Sequence, residues 1–257
     1  MCYDIKTSVA SQLKRAERKG DKNAIDEIME RLVPLTDLPL YHAMGFDHPD
    51  LLIYTNRSPE FPEVATWGLI PHWVRDEAQV KKIWNSTLNA RGETIFEKNS
   101  FRTAAKQSRC LIYVDGFYEH HHFNKKTYPF FIHRKDKEPM ILAGLYNEWH
   151  NPGTGGKLLS FSIVTTTGNA MMGKIHNNPK LEGPRMPVIL PDELADKWLV
   201  DYNDALDQQS IEELIKEYPA TELTAFTVNK LRGKHSTGNT EEASQPHNYA
   251  ELPTLQL

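Results

Sequence analysis

Cysteine is almost absent: Cys2 and Cys110 are the only two in 257 residues, enough for a single bridge, and nothing around them asks for one. That scarcity excludes a disulfide-stapled secreted scaffold and fits a reducing compartment. Long apolar runs are missing too. No stretch approaches the roughly 18 to 20 apolar residues that cross a bilayer. The start also lacks the charged-then-apolar pattern of a signal peptide, so a cytoplasmic protein with no membrane partner is expected. There is no positive excess, the formal net charge being −4, which excludes bulk electrostatic adhesion to nucleic acid. No repeat period occurs.

What is present suffices for a real core: 39% hydrophobic residues, with 10% aromatic. The charge is also uneven. Residues 67–110 carry eight basic side chains against four acidic ones, so a basic groove there is compatible with the negative total, as is an ordinary solvated face.

Residues 8–32 are charged and helix-prone with a break at Gly20-Asp21, which predicts two short helices. Residues 51–54 form a short strand candidate, and 64–74 look extended. The middle of the chain is rich in β-branched and aromatic residues, predicting strands at 110–118, 128–133, 140–146 and 158–166, with 151–156 as a hairpin loop. A further short strand is expected at 186–190 and a helix at 193–200. Ser210 followed by Glu213 suggests a capping box opening a helix to Tyr218, and 223–229 reads as the last strand. The composition of 233–257 turns polar, predicting a mobile tail. The pattern implies an α+β single domain over 1–232, with a curved, barrel-like mixed β-sheet core and peripheral helices.

Cys2 has a chemistry that no internal cysteine shares. A small second residue lets Met1 be trimmed, and the chain would then begin as a 1,2-aminothiol. The amine has a reference pKa of about 7.7 to 8.0 and the thiol about 8.5, so both supply some nucleophile near neutral pH. An aldehyde would meet the amine first to give an imine, which the thiol would close into a thiazolidine. Equally, many proteins carry a small second residue for no chemical reason. Four polar clusters accompany it: Asn89-Ala-Arg-Gly-Glu93, Asp115-Gly-Phe-Tyr-Glu119, Ile175-His176 and Arg185-Met-Pro-Val188. Singly, each is compatible with turn capping, strand ends or core packing. His120-His121-His122 alternate faces in a strand, leaving at most two on one side and no third ligand at zinc spacing, so no metal and no cofactor are expected. Cys110 lies in an apolar run and reads as a core thiol.

Taken together with Met1-Cys2, Trp67-Gly-Leu-Ile-Pro-His-Trp73, Arg109-Cys-Leu-Ile-Tyr-Val-Asp-Gly-Phe-Tyr-Glu119 and His176 ahead of Arg185-Met-Pro-Val-Ile-Leu190, these clusters resemble the SOS response-associated peptidase family. The family is known for covalent crosslinks to abasic sites in single-stranded DNA. The resemblance runs from residue 1 to about 230, in family order. It implies Cys2 as nucleophile, Asn89 holding the terminal amine, Glu119 as acid and base, and His176 relaying protons or holding the opened sugar. Arg91 and Arg185 would bind DNA, and Trp67 and Trp73 would stack bases. It also implies self-processing of Met1, a lyase-like crosslinking activity, abasic single-stranded DNA as partner, a monomer, and nucleoid association when DNA is bound.

Three departures stand out: Tyr3-Asp4 where Gly-Arg is usual, His120 where Trp is usual, and an eight-residue insertion, 177–184, between His176 and Arg185. Two alternatives keep the same residues, a cysteine-type peptidase acting on other proteins and a non-covalent binder of modified or damaged DNA. The covalent proposal requires Cys2 within bonding reach of Glu119 and His176, on an open surface.

Overall fold

Strand-forming residues build the centre of the molecule and the polar segments wrap it. The computed structural model describes residues 2–257, so the expected trimming of Met1 falls outside the described residues. A short strand β1 (Asp4–Thr7) leads into helix α1 (Val9–Lys19). The Ser8 side chain caps α1 by accepting from the Ser11 N–H, and Gly20 ends it at φ 68°, a conformation that costs little without a Cβ. Asp21 caps α2 (Lys22–Glu27), so the break falls where the sequence has Gly20-Asp21.

Strands β2 (Leu40–Met44), β3 (Asp50–Thr55) and β4 (Glu63–Trp67) follow, then α3 (Glu77–Ile83), β5 (Asn89–Arg91) and α4 (Arg102–Gln107). The extended run expected over 64–74 stops at Trp67. Gly68 takes φ 121°, and a Cβ there would lie 2.5 Å from Trp84 Cδ1, so the chain turns at this point. The dense strand region gives β6 (Arg109–Val114), β7 (Gly116–Phe123), β8 (Lys126–Arg134), β9 (Met140–His150) and β10 (Lys157–Thr167). The remainder is α5 (Ala170–Ile175), β11 (Arg185–Pro187), β12 (Ile189–Leu190), α6 (Ala195–Trp198), α7 (Ala205–Glu212) and β13 (Leu223–Thr227).

Pairings run β10–β4–β3–β6–β9 and back to β10, closing a five-stranded barrel that is mixed because β4 and β10 are parallel. β5 and β11 add to β10, and β12 to β9. The second sheet, in order β13-β8-β7-β1-β2, is antiparallel throughout. Residues 110–118 were expected as one strand and are two, in different sheets. At the crossing a Cβ on Gly116 would sit 2.4 Å from the Ile132 carbonyl oxygen, so glycine permits the close approach that transfers the chain from barrel to sheet. One apolar cluster spans both layers, with Ile5, Phe117 and Ile132 from the sheet and Ile112, Leu142 and Ile163 from the barrel.

Two further expectations are corrected. The capping box at Ser210 is absent: Asp204 and Asp207 form one instead and open α7, while the Ser210 hydroxyl donates back to the Leu206 carbonyl inside that helix. Residues 233–257 lie against the second sheet rather than trailing from it. Val228 bridges Pro246, Tyr249 donates to the Val228 carbonyl at 2.8 Å, and Lys6 donates to Ser244 at 2.8 Å. The polar composition hides this because few apolar anchors suffice, among them Ala243 and Tyr249. No described helix is long and apolar enough to cross a membrane.

Arg109 contributes nothing to a basic groove, being wholly buried. Its guanidinium donates to the carbonyls of Trp198, Ala105, Lys106 and Val200, stitching α4 and the end of α6 to the barrel. Arg109→Leu strips four buried acceptors of a charged donor and is expected to cost about 3 kcal/mol or more, read as the denaturant midpoint at unchanged slope. A loss below about 1 kcal/mol would show that water replaces the guanidinium.

Candidate active site

The transfer from β6 to β7 carries Glu119 out of the barrel and onto the second sheet. β1 runs antiparallel beside β7 with Asp4 opposite Tyr118, which brings the chain's start alongside Glu119. A cavity of about 410 Å³ opens there, lined by Tyr3, Glu119, His120, His176, Lys230 and Arg232 among others.

Glu119 is buried, one oxygen accepting from the His120 N–H at 3.0 Å and the other lying 3.6 Å from His176 Nδ1. His176 closes α5, its own N–H bonded to the Met172 carbonyl. Its Nδ1 accepts the Arg185 N–H at 3.0 Å, which requires that nitrogen to be unprotonated, although the Arg185 carbonyl at 3.1 Å would receive a proton placed there. The Arg185 backbone can thus partner either state of Nδ1. Burial pushes His176 down to about 4, so the ring is neutral at pH 7. Burial, with the Asp4 carboxylate adding, pushes Glu119 up to about 7 against the stabilising His120 N–H. The 3.6 Å approach is therefore no ion pair at neutral pH. It joins a half-protonated carboxyl to a neutral imidazole, a pair suited to taking and giving protons.

Cys2 is 1% exposed, so the open nucleophile expected from the sequence is instead covered, held in the apolar cluster that includes Leu88 and Phe117. Its thiol makes a long contact to the Asp4 carbonyl at 3.8 Å. Burial, reinforced by Glu119, pushes the thiol well above its ordinary value, and it is protonated at neutral pH. Asn89 is buried on β5 opposite Ile163, and its Oδ1 and Nδ2 have no hydrogen-bond partner among the described residues; the freed amine it is expected to hold lies outside them. An amide left so costs about 1–3 kcal/mol, and an incoming polar group would relieve it.

The residues expected to bind DNA fare unevenly. Trp67 is wholly enclosed, with its indole N–H on the Leu88 carbonyl at 2.8 Å and its ring stacked on Phe161; it is core and offers no face to a base. Trp73 is 43% exposed. Arg185 is held by Glu93 at 2.6 and 2.9 Å, and Arg91 by Glu182 at 3.2 Å. The structure thus brings Glu119 to His176, with Cys2 near enough for the carboxylate to act on its thiol, and leaves Trp67 and the guanidinium of Arg185 out.

The insertion forms part of the cavity wall. Asn177 bonds the His122 backbone in both directions, at 2.7 and 3.0 Å, and Asn178 and Leu181 line the opening. Asp4 is not an anion in the groove, because it is buried against His42 at 2.8 Å and Arg232 at 2.5 and 2.7 Å. Arg232 and His42 escaped sequence reasoning, since no spacing or motif ties them to residue 4, and Lys230 escaped it because no motif ties it to the cavity. Among the described residues no cluster of His, Cys, Asp or Glu is arranged to hold a metal ion.

A mixed five-stranded barrel carrying an antiparallel sheet, with a cysteine at position 2 near a buried carboxyl–imidazole pair, defines the class of protein. The family model described as SOS response associated peptidase (SRAP) matches residues 11–234, and the chain belongs to that family. Over 166 residues it is 39% identical to the abasic site processing protein YoqW of Bacillus subtilis, covering 64% of this chain and 68% of that one. The abasic site processing protein HMCES of Xenopus tropicalis is 29% identical over 195 residues, 68% of this chain and 54% of that one. A crystal structure of a protein from Bacteroides thetaiotaomicron superposes with a TM-score of 0.81 at 32% identity, over 96% of this chain and 100% of that one.

The pKa shifts fix a sign. Below about pH 6.5 the unfolded chain protonates His176 and His120 while the folded chain, with both pushed down to about 4, does not. These groups therefore lower stability as pH falls from 6.5 to 4. Glu119 acts oppositely, since the folded chain keeps its proton up to about 7. Glu119→Gln should melt higher than the parent at pH 8, where the parent buries a carboxylate, and the advantage should vanish by pH 5. Thermal melts showing an advantage that grows on acidification would contradict the raised carboxyl.

Proposed function

We propose that this protein captures abasic sites in single-stranded DNA through Cys2, forming a thiazolidine that shields the lesion from strand cleavage. The observation carrying it is the Glu119–His176 pair, with a carboxyl pushed up to about 7, in a cavity alongside the chain's start. Membership of a family whose relatives are named abasic site processing proteins supports the same substrate.

The chemistry balances with the chain's own groups. With Met1 gone, the Cys2 amine adds to the aldehyde carbon of the ring-opened sugar. Protonated Glu119 gives its proton to the resulting hydroxyl, which leaves as water, and an iminium that keeps the remaining N–H forms beside the Glu119 carboxylate. The thiol then adds to the iminium carbon and its proton returns to the Glu119 carboxylate, restoring the acid; one water is lost overall. A thiol with a raised pKa suits this order, because it attacks late and gives up its proton only to a base beside it. Neutral His176 can hold a sugar hydroxyl, and the unpartnered Asn89 amide can take the amine. The burial of Cys2 means that the segment leading into β1 must shift for the sulfur to reach the sugar. The same carboxyl could direct water at the Met1–Cys2 bond, which would make removal of Met1 self-processing.

Purified protein incubated with an abasic oligonucleotide should give a band stable to heat and detergent, and Cys2→Ala should abolish it; no band from the native protein ends the proposal. Glu119→Gln should slow adduct formation by about 10²-fold or more, as for loss of a general acid. Intact mass should show Met1 retained in that variant. Complete trimming would remove Glu119 from the processing step.

A further inference from the structure

The arginines that the family resemblance gives to DNA are both engaged by carboxylates, Arg185 by Glu93 and Arg91 by Glu182. The cavity wall around Glu119 instead carries two cations from the segment after β13, Lys230 and Arg232, and Glu119 is the one acid among the described residues lining it. Lys230 is fixed over the Tyr128 and Tyr249 rings, 4.7 and 5.0 Å from their centroids, and donates to the Thr127 carbonyl.

Arg232 is held differently. One terminal nitrogen, Nη2, bonds both oxygens of Asp4, and Asp4 is itself buried and bonded to His42. The Arg232 side chain is nevertheless 48% exposed, and its Nη1 and Nε make no hydrogen bond among the described residues. A guanidinium gripped at one nitrogen keeps donors in a fixed plane, the arrangement that matches a phosphate. The geometry points to Arg232 as a phosphate-binding residue of this site, pre-oriented by Asp4 and taking a backbone phosphate beside the lesion, with Lys230 adding a point charge. Asp4 then works for DNA binding by orienting the cation that the cavity presents.

This rests on the proposed DNA substrate, so the test separates the two. A single-stranded oligonucleotide carrying tetrahydrofuran, an abasic analogue without an aldehyde, is titrated over a range of salt while the true abasic oligonucleotide is crosslinked in parallel. Arg232→Gln should bind the analogue more weakly whatever the flanking sequence, with the slope of log K against log salt shallower by about 0.7 for the lost phosphate contact. Arg232→Lys should keep the native slope. Should the single change unfold the protein by leaving Asp4 unpaired, Asp4→Asn with Arg232→Gln removes both charges together and is read in the same way. An unchanged slope in a folded variant, with native protein that binds and crosslinks, overturns the role of Arg232 alone. Native protein that neither binds the analogue nor crosslinks the abasic strand overturns both.

Discussion

A carboxyl group taken out of water is the constraint around which this molecule is arranged. Burial disfavours the charged form of Glu119 by more than the groups around it favour that form. Beside it lies His176, itself pushed down to about 4 by burial and therefore uncharged at neutral pH. The backbone bonds both groups, the His120 N–H donating to the carboxyl and the Arg185 N–H to the imidazole. A buried acid that titrates near 7 follows from packing as much as from the identity of the residue.

That arrangement depends on the scaffold in a specific way. The closed barrel encloses the Trp67 and Arg109 side chains, which bond the Leu88 and Trp198 carbonyls and so hold neighbouring segments to it. The second sheet pairs only edge to edge, and its central strands β7 and β1 carry Glu119 and the chain's start. Because the five-stranded layer is not closed on itself, one end of it can hold a cavity without breaking a barrel ladder. The segment after β13 then returns across this sheet, bringing Lys230 and Arg232 to the cavity wall and grasping Asp4 across 228 positions of sequence.

Particular residues show how much was legible beforehand. The helix break at Gly20-Asp21 could be read because a left-handed cap and a side-chain cap are both local properties. The strands from 126 onward could be read because β-branched and aromatic residues mark them. Glu119 and His176 emerged through a family pattern, and they do meet. Trp67 misled, because an indole in an aromatic motif looks the same whether it faces DNA or Phe161. The break between β6 and β7 stayed hidden because both halves are equally strand-like, and only the approach of Ile132 to Gly116 shows where the chain changes sheets.

By itself, the amino-acid order determined the residue types able to do aldehyde chemistry, the position of a cysteine next to the first residue, and most secondary elements, since each depends on covalent structure or on neighbours within a few positions. Tertiary structure alone decided the burial of Cys2, the proton held by Glu119 and the partner of Asp4. Solvent exclusion and charge pairing arise between segments far apart in the chain, and no local pattern encodes how close they come.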